Sequence, residues 1–171
     1  MLGFVLVGGW PGSGKTTLSR AVAAELQFAY LSKDDVKEAL MDVLGAPSTV
    51  EASRHLGRAA VAATLRAARG CRSAVIDSTW FPASLPLVRE LQGPFVEVRC
   101  RAPIDVVRRR YENRIRDGRH LDHLRTEEEL WSREVDPLGV GPLLEVDTAG
   151  PINIADLVDR VRFHLTSSDS G

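Results

Sequence analysis

Short apolar runs and longer amphipathic stretches alternate along the chain from one end to the other. Leu2-Gly3-Phe4-Val5-Leu6-Val7 is continuously apolar, the pattern of a parallel strand buried on both faces. Thr16–Leu26 then changes to helical spacing. Phe28–Leu31, Ser73–Ile76, Phe95–Cys100 and Leu143–Val146 read as four further strands. Helices are expected over Val36–Leu44, which stops at Gly45 and Pro47, and from Ser48 or Thr49 through Val61 and Leu65 to Gly70. Asp34 or Asp35 is the expected cap of the first of these. Most of Pro82–Gln92 reads as helical despite Pro86, and Pro103 starts a helix that runs through an arginine cluster to about Asp117. A polar break (Gly118–Thr126), a short helix (Glu127–Glu134), a Pro/Gly loop (Pro137–Pro142) and a last helix (Ile154–Leu165) complete the order. Thr166–Gly171 is expected to be a flexible tail.

Strands that alternate with helices call for an α/β fold, with a parallel sheet covered on both faces. The length of 171 residues suits one domain, here residues 1–165. In such sheets ligands bind beyond the carboxyl ends of the strands. The net charge of −1 supplies no bulk basicity to favour nucleic acid or an anionic membrane surface. No run of 18 apolar residues and no basic leader is present, so the chain reads as cytoplasmic. Cys71 and Cys100 are far apart and fit reduced core thiols better than a disulfide or metal site. Lysine occurs only at Lys15, Lys33 and Lys37; all other cations are arginines.

Those three lysines lie with the candidate chemistry. Gly9-Trp10-Pro11-Gly12-Ser13-Gly14-Lys15-Thr16 is a complete G-x-x-x-x-G-K-[ST] phosphate-binding loop between a strand and a helix, continued by Thr17. Its glycines let backbone N–H groups turn inward onto phosphate, and the following helix N-terminus favours an anion. Lys15 reaches the β- and γ-phosphates of a nucleoside triphosphate, ATP or GTP, and the Thr16 hydroxyl can hold Mg²⁺. Asp77, at the end of an apolar strand, can order the Mg²⁺ shell with Thr16. Asp34 and Asp35 offer carboxylates on the same edge, one to accept a hydroxyl proton and the other to cap the helix. Arg110 and Arg114, spaced i,i+4, project from one helix face into a lid of residues 114–126. There they would stabilise charge on a transferring group. Thr79, Trp80 and Phe81 follow Asp77 and can line an acceptor pocket, although core packing accounts equally well for the aromatics. His120 and His123 fall in the lid and read as solvated.

Four blocks carry a family resemblance: Gly9–Thr17; Ser32-Lys33-Asp34-Asp35-Val36-Lys37; Ile76-Asp77-Ser78-Thr79; and Pro103 through Arg110 and Arg114. Together they resemble the P-loop kinase group of AAA-type domains that includes the polynucleotide 5′-kinase domain, chloramphenicol phosphotransferase and zeta toxins. The resemblance implies a three-layer P-loop fold with five parallel strands in the order 2-3-1-4-5. It also implies Asp34 as the general base, Arg110 and Arg114 as the lid arginines, and Asp147-Thr148 beside the nucleotide base. Asp35 and Lys37 fall on the acceptor side. Lys37 departs from the arginine of polynucleotide kinase and lacks its bidentate fork, which argues against a 3′-phosphorylated polynucleotide.

The expected activity is transfer of the γ-phosphate of ATP or GTP to a small-molecule hydroxyl, with Mg²⁺. The alternatives are a polynucleotide or nucleoside 5′-hydroxyl kinase and a nucleotide-binding switch with little transfer activity. Against the switch, no Asn-Lys-x-Asp guanine motif occurs in the chain.

Overall fold

The apolar run near the start of the chain forms β1 (Gly3–Gly8), buried along its whole length. The computed structural model describes residues 2–113, 118–121, 124, 126, 130–131 and 135–167. Its other elements are α1 (Lys15–Leu26), β2 (Ala29–Ser32), α2 (Lys33–Leu44), α3 (Val50–Ala68) and β3 (Ser73–Asp77). They continue with a 3₁₀ turn (Pro82–Ser84), α4 (Leu85–Val88), β4 (Phe95–Arg101), α5 (Ile104–Asn113), a second 3₁₀ turn (Gly118–His120), β5 (Leu143–Asp147) and α6 (Ile154–Ser167). The strands form one parallel sheet in the order β2-β3-β1-β4-β5.

Because side chains alternate along a strand, β1 divides the interior into two layers. Val5 and Val7 pack with Leu18 and Val22 of α1 and with Leu157 and Val161 of α6. Phe4 and Leu6 point the other way, onto Leu65 and Ala68 of α3 and Val88 of α4. Each such buried aliphatic contributes roughly 1.5–3 kcal/mol against exposure. Over β4 this second face carries the irregular stretch 135–142, whose Leu138 and Val140 pack against the same cluster. Glu97 holds that stretch. Its carboxylate, 3% exposed at the middle of β4, accepts the backbone N–H groups of Leu138 at 2.6 Å and Val140 at 2.7 Å. A buried carboxylate is tolerable only with such charge-assisted partners.

Several boundaries differ from the sequence expectation. Ser32, and neither aspartate, caps α2: its Oγ accepts the Asp35 N–H at 3.2 Å. The helix therefore starts at Lys33, and Asp34 and Asp35 stand in its first turn, where the dipole favours carboxylates. Thr49 caps α3 through the Ala52 N–H at 3.1 Å. The Pro82–Gln92 stretch is a 3₁₀ turn and one short α-helical turn, with Pro86 inside its first residues, where a missing N–H costs least. The last helix runs two residues past Leu165, into the expected tail. Most of the expected helix Glu127–Glu134 and much of the lid lie outside the described residues.

Candidate active site

The strand register brings the candidate residues to one edge. Asp77 is level with Val7 of β1 on one side and Ser32 of β2 on the other, and Arg101 is level with Asp147. Beyond β1 the phosphate-binding loop turns through Gly9, Gly12 and Gly14, at φ of 142°, 83° and 85°. A methyl group on Gly12 would lie 2.7 Å from the Val107 carbonyl of α5, and one on Gly9 would lie 2.7 Å from the Cys100 carbonyl of β4. The loop is thus wedged against both elements. Gly14 caps α1, whose first turn carries no carboxylate to compete with an incoming anion.

Lys15 Nζ donates to the Trp10 carbonyl at 2.8 Å, arching back over the loop. The Thr16 hydroxyl donates to Asp77 Oδ2 at 2.7 Å, and the Tyr30 hydroxyl donates to the same oxygen at 3.4 Å. Burial pushes the Asp77 carboxyl above its ordinary value. The Lys15 charge and the Thr16 hydrogen bond oppose this, while the Asp34 charge reinforces it. Lys15 and Asp34 are therefore both within electrostatic reach of Asp77. Arg20, one turn along α1, lies over the Tyr30 ring at 5.4 Å and reaches Asp35 at 3.8 Å.

On the acceptor side, Asp34 is 46% exposed and its Oδ1 accepts from Lys33 Nζ at 3.0 Å. Lys37 is 1% exposed; its Nζ donates to Ser53 Oγ at 2.7 Å, and Ser53 Oγ donates to the His120 carbonyl at 3.3 Å. His120, expected to be solvated, is buried, with Nε2 at 2.8 Å from Glu38 Oε1. Arg119 pairs with Asp42 at 2.7 Å. The Gly118–His120 turn is fastened in this way onto α2 and α3. Trp80 is a correction: it is core, 4% exposed, with Nε1 donating to the Val7 carbonyl at 3.0 Å. Thr79 beside it is half-buried and Phe81 exposed. His123 and Arg114 lie outside the described residues.

Where the nucleotide base was expected, Thr148 donates both N–H and Oγ1 to the Arg101 carbonyl, at 2.7 and 2.9 Å. Its side chain borders the phosphate-binding loop, since a methyl on Gly14 would lie 3.7 Å from Thr148 Cβ. Asp147 Oδ1 accepts the Ala149 N–H at 2.8 Å. Arg110 donates to the carbonyls of Thr148 and Ala149 at 2.8 and 3.1 Å. It thus clamps this segment to α5 with both nitrogens of its fork. Trp131 meets the rings of Trp10 and Tyr111 edge-on at 6.2 and 5.4 Å, with Arg108 at 5.8 Å from its centre. Sequence reasoning missed this cluster and Tyr30; three aromatics distant in the chain carry no periodic signal.

A model of the AAA domain family matches residues 4–133. The chain belongs to that family. A Chloroflexus aurantiacus protein described as a candidate kinase is 33% identical, with 96% of this chain and 98% of that one covered and a TM-score of 0.83. Shikimate kinase from Acinetobacter baumannii, crystallised with shikimate, is 15% identical, covering 100% and 96%, with a TM-score of 0.61; that likeness is one of fold. An uncharacterized protein of Mycobacterium tuberculosis strain H37Rv is 32% identical over 117 residues, 60% of this chain and 24% of its own. The chain thus spans about a quarter of the curated relatives it matches. This AAA domain has a P-loop kinase fold. Among its described residues, no helix is long and apolar enough to cross a membrane.

Proposed function

We propose that this AAA domain is a Mg²⁺-dependent phosphotransferase that moves the γ-phosphate of ATP or GTP to a small-molecule hydroxyl. One observation carries the reading: Thr16 and Asp77 are joined at 2.7 Å, with Lys15 and Asp34 both acting on that carboxylate. A binding loop alone would not require a second carboxylate, Asp34, near enough for its charge to act on the first.

The donor set suits Mg²⁺, which prefers hard oxygen ligands, few of them from protein and the rest from phosphate and water. Thr16 and Asp77 would hold the ion, and when bound it neutralises phosphate charge. The loop N–H groups and the α1 N-terminus bind the phosphates, with Lys15 leaving the Trp10 carbonyl to meet them. The acceptor oxygen attacks the γ-phosphorus in line, and the bond to the β,γ-bridging oxygen breaks. The hydroxyl proton passes to Asp34, whose Oδ1 also accepts from Lys33 Nζ at 3.0 Å. Arg114 and Lys15 take up charge on the transferring group. Arg110 orders the Thr148–Ala149 segment beside the nucleotide, which Asp147 also braces. Asp35 and Thr79 border the acceptor, and Lys37 shapes its wall from within the fold.

The net charge of −1 and the burial of Lys37 favour a small acceptor over a polynucleotide. The test is acceptor-dependent release of nucleoside diphosphate across a panel of hydroxyl metabolites, with a 5′-hydroxyl oligonucleotide as a separate arm. Asp34→Asn is expected to lower turnover about 10²–10⁴-fold while nucleotide affinity stays within a few-fold. Full turnover by that variant overturns Asp34 as base. Turnover without acceptor dependence would point to a switch.

A further inference from the structure

Tyr30 belongs to none of the motifs, yet it reaches the centre of the site. We propose that Tyr30 is a positioning residue for the metal-side carboxylate: with Thr16 it pins Asp77 Oδ2 and leaves Oδ1 to the ion's shell. The inference rests on the reading of Thr16 and Asp77 as the Mg²⁺ site. Among the described residues, both hydrogen bonds to the Asp77 carboxylate fall on Oδ2, at 2.7 Å from Thr16 and 3.4 Å from Tyr30.

The placement follows from the fold. β2 pairs with β3 so that Tyr30 is level with Val75, and Tyr30 packs against the α1-side cluster that contains Val75. Asp77, two residues after Val75, emerges on the same face, beneath the first turn of α1. Arg20 then covers the Tyr30 ring at 5.4 Å and ties itself to Asp35 of α2 at 3.8 Å, so an anchored guanidinium lies over the ring. A strand-end carboxylate can rotate about χ2, and a single donor fixes it weakly. Two donors on one oxygen select one orientation, which matters for an ion with strict octahedral demands. A phenol serves well here, being a neutral donor at physiological pH.

The experiment is calorimetric titration of the full chain with ADP, in EDTA and across a Mg²⁺ series. Tyr30→Phe is the variant, Asp77→Asn the control, and melting curves check folding. Tyr30→Phe keeps the packed ring, so ADP affinity in EDTA should match wild type, while the Mg²⁺ midpoint rises about three- to tenfold, the effect of one hydrogen bond. If Asp77→Asn raises the midpoint and Tyr30→Phe does not, the proposal fails and the metal-site reading stands. If Tyr30→Phe weakens ADP equally with and without Mg²⁺, the ring is merely structural and the proposal also fails. If Asp77→Asn itself leaves the midpoint unmoved, the metal-site reading falls.

Discussion

Arg110 holds Thr148 by its backbone: Nη1 donates to the Thr148 carbonyl at 2.8 Å while Nη2 takes the next carbonyl, Ala149, at 3.1 Å. The pair joins α5 to the segment after β5, and Thr148 in turn borders Gly14 of the phosphate-binding loop. Arg110→Ala should therefore raise the KM for nucleotide about tenfold and leave kcat within a few-fold, as loss of binding common to ground and transition states does. Steady-state kinetics decide it. A collapse of kcat by about 10³ would instead assign Arg110 to the transferring phosphate.

Gly12 makes a second expectation. Its φ of 83° and the nearness of the Val107 carbonyl leave no room for a side chain. Gly12→Ala should cost about 1–3 kcal/mol. On a domain this size that lowers Tm by roughly 2–12 °C. Nucleotide affinity should fall at least about tenfold, since the loop must shift off α5. Unchanged melting and binding would mean that the loop is not wedged as described.

How far the sequence carried can be judged residue by residue. Gly9–Thr16 and the apolar run before it were legible because the spacing is fixed by phosphate geometry. The sheet order and the meeting of Thr16 with Asp77 followed the resemblance. Trp80 was not legible, because an aromatic after a strand packs inward or lines a pocket with the same local pattern. The burial of Lys37 and His120 was hidden as well. Each is made tolerable by a partner on another element, Ser53 for the lysine and Glu38 for the histidine ring. Ser32 displaced both aspartates as cap because its hydroxyl stands three residues ahead of an N–H and needs no charge.

The two thiols should separate cleanly. Burial pushes Cys100 up to about 12, and it is 4% exposed beneath the loop, whereas Cys71 is half-buried. Thiol titration at pH 8 should label Cys71 in the native protein and Cys100 only on unfolding, since the thiolate is the reactive form. Rapid labelling of both would contradict the packing of Cys100 against Gly9.

The Asp77 shift predicts a pH dependence of apo-protein stability. Burial raises its carboxyl above 3.8, so the folded state binds the proton more tightly than the unfolded state does. That contribution is complete below the unfolded value and is lost as pH rises through the raised one. Asp77→Asn carries no charge and should melt higher than wild type at neutral pH in EDTA, the gap closing as pH falls towards 4. A gap of opposite sign would show that Lys15 and Thr16 outweigh burial.

Glu97 has a consequence for how this protein can vary. Its carboxylate fixes Leu138 and Val140 to the middle of β4, the strand that also leads into α5. The chain thus leaves β4 at one end and is buttoned back onto the same strand some forty residues later. Between those two anchor points the described residues are themselves tied in: Val107 and Val135 are buried, Arg110 holds the segment after β5, and His120 is buried beside Glu38. With both ends of this excursion fixed to one strand, the buried acid holds the approach to β5 in register whatever path the chain takes between them.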